Sequence, residues 1–140
     1  MRFSQQDSEV TVGSILVMPE QANPAFTFHG GEMVKFMDNT AGTCAMRFTG
    51  TLVVIRRIEC MDFLAPVYVG NFLICEARVI ETGKTSVKIK AEVYAEDIRT
   101  KERTLSARGI FTYVAVDERR KPVNIERLRF SSPETASSSG

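Results

Sequence analysis

The sequence predicts an α+β domain in which an antiparallel sheet of about five strands wraps around one long helix. Three observations favour this architecture. The chain has 140 residues, which is enough for one domain with a substantial core. A single stretch, from residue 30 to residue 48, has apolar residues at helical spacing. Long runs with strand character then follow one another up to residue 117, and an antiparallel sheet built from them leaves one face for the helix to cover.

The first predicted strand lies close to the N-terminus. Val10, Val12 and the run 15–18 have strand character, and Pro19 ends this strand. We expect the polar residues 1–8 before it to be flexible. A turn-rich loop with Asn23 follows and leads into the helix.

The predicted helix carries an apolar stripe that is about 120° wide. Its members recur at helical spacing: Met33, Met37, Ala41, Cys44, Ala45 and Phe48. Asp38 lies about 20° beyond the edge of this stripe, where Gly31 and Gly42 flank it. A carboxylate beside an apolar stripe, with glycines around it, is typical of a site that admits a substrate. On the opposite side of the helix we expect Phe36 and Met46 to face outwards.

The remaining predicted strands follow the helix along the chain. They span residues 51–64, 69–81, 87–96 and 104–117. The third of them alternates most clearly, with five apolar residues predicted to face the core: Val87, Ile89, Ala91, Val93 and Ala95. A hairpin turn at residues 82–84 precedes it. We expect a single domain over residues 9–130 and a disordered tail over residues 131–140.

The composition argues against several classes of function. The net charge of +1 gives no reason to expect a nucleic acid or a membrane surface as partner. Cys44, Cys60 and Cys75 lack metal-ligand spacing and fit reduced, buried thiols. The sequence has no evident signal peptide and no apolar run near the roughly 18 residues of a membrane span. We therefore expect a cytoplasmic protein with no metal site.

The entrance to the helix has groups that can stabilise an oxyanion. At a helix N-terminus the amides of Gly30 and Gly31 lack helical partners, and glycine lets a carbonyl approach the backbone. Asp38 has the chemistry of a general base or a nucleophile, and Asn23 can hold a water molecule or a substrate carbonyl. Each group also has a plainer interpretation. Asp38 fits a structural carboxylate, Asn23 a turn former and the two glycines a simple helix entry.

Four segments together form a pattern over roughly residues 10–123. Asn23, Gly30, Gly31 and Asp38 form the spacing Asn-x6-Gly-Gly-x6-Asp. The other segments are the runs 57–67, 83–86 and 111–122. In this order they resemble hotdog-fold acyl-CoA thioesterases, most closely the short bacterial-type members with a single hotdog domain. Phe26 and Thr27 depart from the Gly-Thr or Gly-Asp pair common in the family, and Ala65 stands where arginine is frequent.

The resemblance implies an enzyme that hydrolyses fatty acyl-CoA to a free fatty acid and coenzyme A, with no cofactor. It implies catalytic roles for Asn23, Gly30 and Asp38. It also implies a set of substrate-binding residues: His29, Gly31, Arg57, Lys84, Thr85 and Ser86. In that set His29 would be a pocket wall, and the hairpin residues would contact coenzyme A phosphates. In the family the asparagine and glycine come from one protomer and the aspartate from its neighbour, so we expect a homodimer, assembled further into a homohexamer.

Three other functions remain to be compared with hydrolysis. A hydratase or dehydratase of the same fold needs a catalytic histidine, and Phe26 stands where the hydratase pattern has it. A non-catalytic acyl-CoA sensor would be expected to lose the carboxylate and to carry a pair of DNA-binding helices. The sequence keeps Asp38 and shows no such pair of helices. A structural dimer without ligand explains the fold but not the combination of Asn23, Gly30 and Asp38.

Overall fold

The computed structural model describes residues 9–125, which form one long helix and a five-stranded antiparallel sheet. The elements are, in chain order, β1 Thr11–Leu16, a 3-10 helix Pro19–Gln21, α1 Gly30–Thr49, β2 Leu52–Phe63, β3 Phe72–Thr82, β4 Ser86–Glu96 and β5 Arg103–Val116. The strand order is β1-β3-β4-β5-β2, so β1 and β2 form the edges of the sheet. The predicted α+β architecture is confirmed. The predicted flexible N-terminus at 1–8 and the tail at 131–140 lie outside the described residues.

The sheet covers a wider part of the α1 surface than the apolar stripe predicted from the sequence. All five strands contact α1. As a result Phe36, expected on the outer side, is buried with 7% of its surface exposed, and that prediction was wrong. Met46 is 39% exposed, as expected for the outer side. The helix ends at Gly50, whose φ of 73° is readily adopted by glycine and whose N–H donates to the Met46 carbonyl over 2.8 Å.

The start of β3 differs from the predicted one. The sequence pattern starts this strand at residue 69, whereas β3 begins at Phe72. Residues 68–71 form a turn instead, in which the Asn71 amide donates to the Tyr68 carbonyl over 3.0 Å. The Asn71 side chain also accepts from the Tyr68 amide over 2.8 Å. These local hydrogen bonds compete with strand pairing at a segment that contains Gly70 at a φ of 92°.

The alternation predicted for β4 is confirmed. The inward residues Val87, Ile89, Ala91, Val93 and Ala95 are all buried. The edge strand β2 differs, because it pairs with β5 on one side and with no other strand among residues 9–125. Its large apolar side chains are exposed, namely Leu52, Val54, Ile55, Ile58 and Phe63. A long apolar edge of this kind is rarely left uncovered in a soluble protein.

The other edge strand approaches the helix through a glycine. A Cβ added to Gly13 would overlap the hydroxyl oxygen of Thr40 on α1. Thr40 is buried, and its hydroxyl donates to the Phe36 carbonyl one turn earlier over 3.2 Å. The absence of a side chain at Gly13 therefore lets β1 pack directly on the helix.

The three cysteines are free thiols, but not all are buried. Burial raises the pKa of the Cys75 thiol to about 12 and also raises that of Cys44. Cys60 is exposed, contrary to the prediction, because it lies on the edge strand β2. Within residues 9–125 no helix is long and apolar enough to cross a membrane.

Candidate active site

A short loop before the helix is organised by Asn23. Its side-chain oxygen accepts hydrogen bonds from the Ala25 amide over 2.9 Å and from the Thr27 amide over 3.2 Å. Its side-chain nitrogen donates to the Thr27 hydroxyl over 2.9 Å. In this chain Asn23 therefore acts as a turn former that fixes the path of the chain into α1.

The same loop holds Phe26 in an unusual conformation. Its φ is 66°, in the left-handed region, where the Cβ of any residue except glycine is crowded. The side chain is 80% exposed and thus gains little from packing. This geometry gives a physical reason for the glycine that the resembling family commonly has at this position.

The N-terminus of the helix is capped by His29. Its Nδ1 accepts a hydrogen bond from the Gly31 amide over 3.0 Å, so this nitrogen carries no proton. The Gly31 amide is therefore occupied, whereas we expected it to lack a partner. The Gly30 amide has no hydrogen-bond acceptor among residues 9–125. Within the described residues, the start of α1 therefore presents one amide without an acceptor, that of Gly30, and one amide bonded to the His29 side chain, that of Gly31.

A cleft of about 360 Å³ opens beside Gly30. Its walls are mainly apolar and include Phe28, Met33, Phe63 and Val67. The Phe63 ring lies 3.8 Å from the position that a Cβ on Gly30 would take. The cleft therefore places an open backbone amide next to a surface suited to an apolar chain.

Asp38 lies in the middle of α1 and is half-buried. Its Oδ1 accepts a hydrogen bond of 2.6 Å from the hydroxyl of Tyr113 on β5. No other residue in the described part of the chain bonds to this carboxylate, so Oδ2 is available. Burial, and then the neighbouring Asp38, raise the pKa of Tyr113 well above its usual value.

The glycine one turn after Asp38 lies beside this tyrosine. A Cβ on Gly42 would lie 3.7 Å from the Tyr113 ring, at van der Waals contact, so the ring borders this face of the helix. We expected Gly31 and Gly42 to leave space for a substrate beside Asp38. In the structure the Tyr113 ring borders Gly42 at van der Waals distance, and His29 lies against Gly31. Oδ2 of Asp38 is the remaining open part of the carboxylate.

The predicted site residues do not all come together within one chain. Asp38 follows Gly30 by eight residues in α1, which corresponds to about 12 Å along the helix axis. The hairpin with Lys84, Thr85 and Ser86 lies at the opposite end of the sheet from Gly30. Ser86 pairs with Val114, next to the strand end that follows the C-terminus of α1.

The hairpin and Arg57 present exposed polar groups at the surface. The Lys84 carbonyl accepts a hydrogen bond from the Ile125 amide, and the Thr85 carbonyl accepts one from the Ala115 amide, both over 2.9 Å. The Lys84 side chain is exposed. Arg57 lies on β2 and is 3.6 Å from Glu59. No group of three or more potential ligands among residues 9–125 is arranged to hold a metal ion.

Sequence reasoning missed the interaction of Tyr113 with Asp38. Tyr113 was part of the last-strand pattern, but nothing local connects it to a residue 75 positions earlier. Two features provided a signal for this contact. Gly42 lies one turn after Asp38 and carries no side chain, and Tyr113 faces the helix from β5.

Comparison with known proteins identifies the family. The family model of the thioesterase superfamily matches residues 27–102. The chain is 36% identical to the acyl-CoA thioester hydrolase YciA of Escherichia coli over 110 residues, which cover 76% of this chain and 83% of that protein.

Solved structures agree with this match. A hexameric thioesterase from Yersinia pestis is 34% identical and has a TM-score of 0.79, with 84% of this chain and 94% of that chain covered. A hexameric broad-specificity acyl-coenzyme A thioesterase, solved as a variant with one aspartate replaced by alanine, is 27% identical. Its TM-score is 0.82, with 94% of this chain and 96% of that chain covered. The chain therefore belongs to the thioesterase superfamily, as a hotdog-fold acyl-CoA thioesterase.

Proposed function

We propose that the protein hydrolyses fatty acyl-CoA with Asp38 as general base and the amides at the start of α1 as oxyanion hole. The observation that supports this role most directly is the state of the Asp38 carboxylate. It is half-buried beside the core, it has Tyr113 as its one partner among residues 9–125, and its Oδ2 is open. The open Oδ2 leaves one carboxylate oxygen able to accept a hydrogen bond from a water molecule. A related thioesterase was also solved as an aspartate-to-alanine variant.

The proposed reaction needs water and no cofactor. Asp38 removes a proton from a water molecule while the water oxygen attacks the thioester carbonyl carbon. The oxygen of the tetrahedral intermediate accepts a hydrogen bond from the Gly30 N–H. The carbon–sulfur bond then breaks, and the departing coenzyme A sulfur takes the proton from Asp38. The products are the free acid and the coenzyme A thiol, and Asp38 returns to its carboxylate form.

His29 controls the second oxyanion donor in this proposal. The Gly31 amide reaches a substrate oxygen when the His29 imidazole rotates away from it, because Nδ1 occupies that amide in the free chain. The remaining role of His29 is to border the substrate, as the resemblance implies. Asn23 contributes by fixing the loop that leads to both amides.

Two chains share each site in the proposed enzyme. The separation of about 12 Å between the Gly30 amide and Asp38 along one helix is too large for both to act on one carbonyl. A two-fold partner supplies the missing aspartate, and the exposed apolar edge of β2 supplies a surface for it. The solved relatives are hexamers, which supports a homohexamer built from such dimers.

The coenzyme A phosphates are proposed to bind at the hairpin with Lys84, Thr85 and Ser86, together with Arg57. Lys84 is exposed and Arg57 presents its guanidinium at the surface of β2, so both can reach an anion. Since the hairpin lies at the far end of the sheet from Gly30, these residues serve a site whose amides come from another chain. We expect this enzyme to work in the cytoplasm, where acyl-CoA is made and used.

The decisive experiment compares Asp38→Asn with the wild type. We expect wild-type hydrolysis in a free-thiol assay across acyl-CoA substrates from acetyl to palmitoyl, and a loss in kcat of at least about 100-fold in the variant. Asn39→Ala, at the exposed neighbouring helix position, is the matched control and should retain wild-type activity. Near-normal turnover in a folded Asp38→Asn protein would remove Asp38 from the chemistry.

A single turnover in water labelled with oxygen-18 separates a base from a nucleophile. If Asp38 activates water, the label enters the free acid and not the aspartate side chain. Label recovered in the peptide that contains Asp38 would show direct attack through a mixed anhydride. Tight acyl-CoA binding without hydrolysis by the wild type would instead support the sensor alternative.

A further inference from the structure

The Tyr113 hydroxyl and the Asp38 carboxylate form the shortest side-chain hydrogen bond described around the site. We propose that Tyr113 is a positioning residue, which holds Oδ1 of Asp38 and thereby presents Oδ2 to the attacking water. This inference deepens the proposed function and depends on it for the catalytic role of Asp38. Tyr113 acts through Asp38 and need not contact the substrate.

One hydroxyl proton has two possible acceptors here. The Tyr113 oxygen is 2.6 Å from Oδ1 of Asp38 and 3.2 Å from the Asp38 backbone carbonyl. The shorter contact is to the charged group, and charge-assisted hydrogen bonds from a hydroxyl are typically both shorter and stronger. The proton therefore points to Oδ1, which leaves Oδ2 as the oxygen with unused acceptor capacity.

The tyrosine itself has little freedom to move. It is 2% exposed and lies between Ile55 of β2 and Val87 of β4 in the sheet. Its ring is stacked with that of Phe111 at a centroid distance of 6.4 Å and an angle of 10°. The helix backbone at Gly42 closes the remaining side. A hydrogen-bond donor that is held in place in this way restricts the orientation of the side chain that it bonds, which is Asp38.

This donor keeps its proton throughout the working range of pH. Burial, and then the hydrogen bond to Asp38 and the charge of Asp38, raise the pKa of Tyr113 above its usual value. The tyrosine therefore remains a hydrogen-bond donor to Asp38 and does not serve as the base. Its effect is on the orientation of the carboxylate, and a misplacement of about 1 Å in a reacting group can cost about 100-fold in rate.

Steady-state kinetics of Tyr113→Phe test this role. We expect kcat to fall by about 10-fold to 100-fold with KM nearly unchanged, because the hydrogen bond orients the base and does not bind substrate. Tyr94→Phe removes a hydroxyl from β4, away from Asp38, and should keep the wild-type kcat. In an Asp38→Asn background, Tyr113→Phe should cause no further loss. An additive loss, or a kcat unchanged by Tyr113→Phe alone, would overturn the proposal.

A crystal structure of Tyr113→Phe gives a readout that does not depend on activity. We expect an unchanged backbone and an Asp38 side chain that leaves its position or occupies more than one rotamer. An Asp38 side chain that stays in place without the hydroxyl would refute positioning by Tyr113. A wild-type protein that hydrolyses no acyl-CoA would defeat the proposed function, and the position of Asp38 in the variant would still decide the structural part of the inference.

Discussion

If each site is shared and each lesion inactivates the site that carries it, mixing Asp38→Asn with Asn23→Ala should restore about one quarter of the wild-type activity above the background of the separate variants. One variant, Asp38→Asn, keeps an intact helix entrance but lacks the base. The other, Asn23→Ala, keeps the base but loses the side chain that accepts from two amides of the entrance loop. Each homodimer therefore lacks one component at both of its sites.

The expected magnitude follows from counting sites. After complete exchange of equal amounts, about half of the dimers are mixed. In a mixed dimer one site combines the intact entrance of one chain with the intact Asp38 of the other, while the second site carries both lesions. Half of the sites in half of the dimers is about one quarter of the total. A site contained in one chain would instead give no recovery.

The assay is thiol release measured during subunit exchange. The two variants are unfolded together in urea, refolded as a mixture and compared with each variant refolded alone. Mass spectrometry of the intact assemblies reports whether mixed species have formed. Activity that stays at the background of the separate variants, despite confirmed mixing, would refute the shared site, as would a fully active monomer in sedimentation.

Two further predictions concern stability, measured by urea unfolding at one fixed protein concentration. Gly13→Ala should destabilise the protein by about 1–3 kcal/mol, because the new methyl group overlaps Thr40 on α1, and Thr40→Ala in the same chain should recover part of the loss. A neutral Gly13→Ala would show that β1 does not pack against Thr40 in solution. Phe26→Gly should stabilise by about 0.5–1 kcal/mol, since relief of a left-handed strain of about 1–2 kcal/mol exceeds the added flexibility of the unfolded chain. A less stable Phe26→Gly protein would mean that the exposed ring has a partner in the assembled enzyme.

Features that depend on local spacing could be predicted from the sequence. The inward residues of β4 follow from a period of two, which fixes the buried side wherever one face is covered. The apolar stripe of α1, which includes Met33 and Met37, follows in the same way from helical periodicity. The spacing from Gly30 to Asp38 also fixes their separation along the helix at about 12 Å, so the sequence itself indicates that one helix cannot bring both groups to one carbonyl.

Features that depend on tertiary structure could not be predicted. The burial of Phe36 is set by how far the sheet curves around the helix, which the period of the helix does not encode. The exposure of Cys60 depends on β2 being an edge strand, and strand order is not visible in alternation. The cap that His29 places on Gly31 depends on a side-chain rotamer, and the bond from Tyr113 to Asp38 joins distant parts of the chain.

The order of the strands has a consequence for synthesis of the protein. The hairpins β3–β4 and β4–β5 join neighbours in the chain, but β2 must wait for β5, and Leu52 pairs with Val116. The helix is made early, yet the strands that cover most of its surface come later. A growing chain on the ribosome therefore exposes part of the apolar stripe of α1 until the later strands have emerged from the exit tunnel. During that interval the nascent chain presents a typical binding segment for chaperones that recognise apolar sequences.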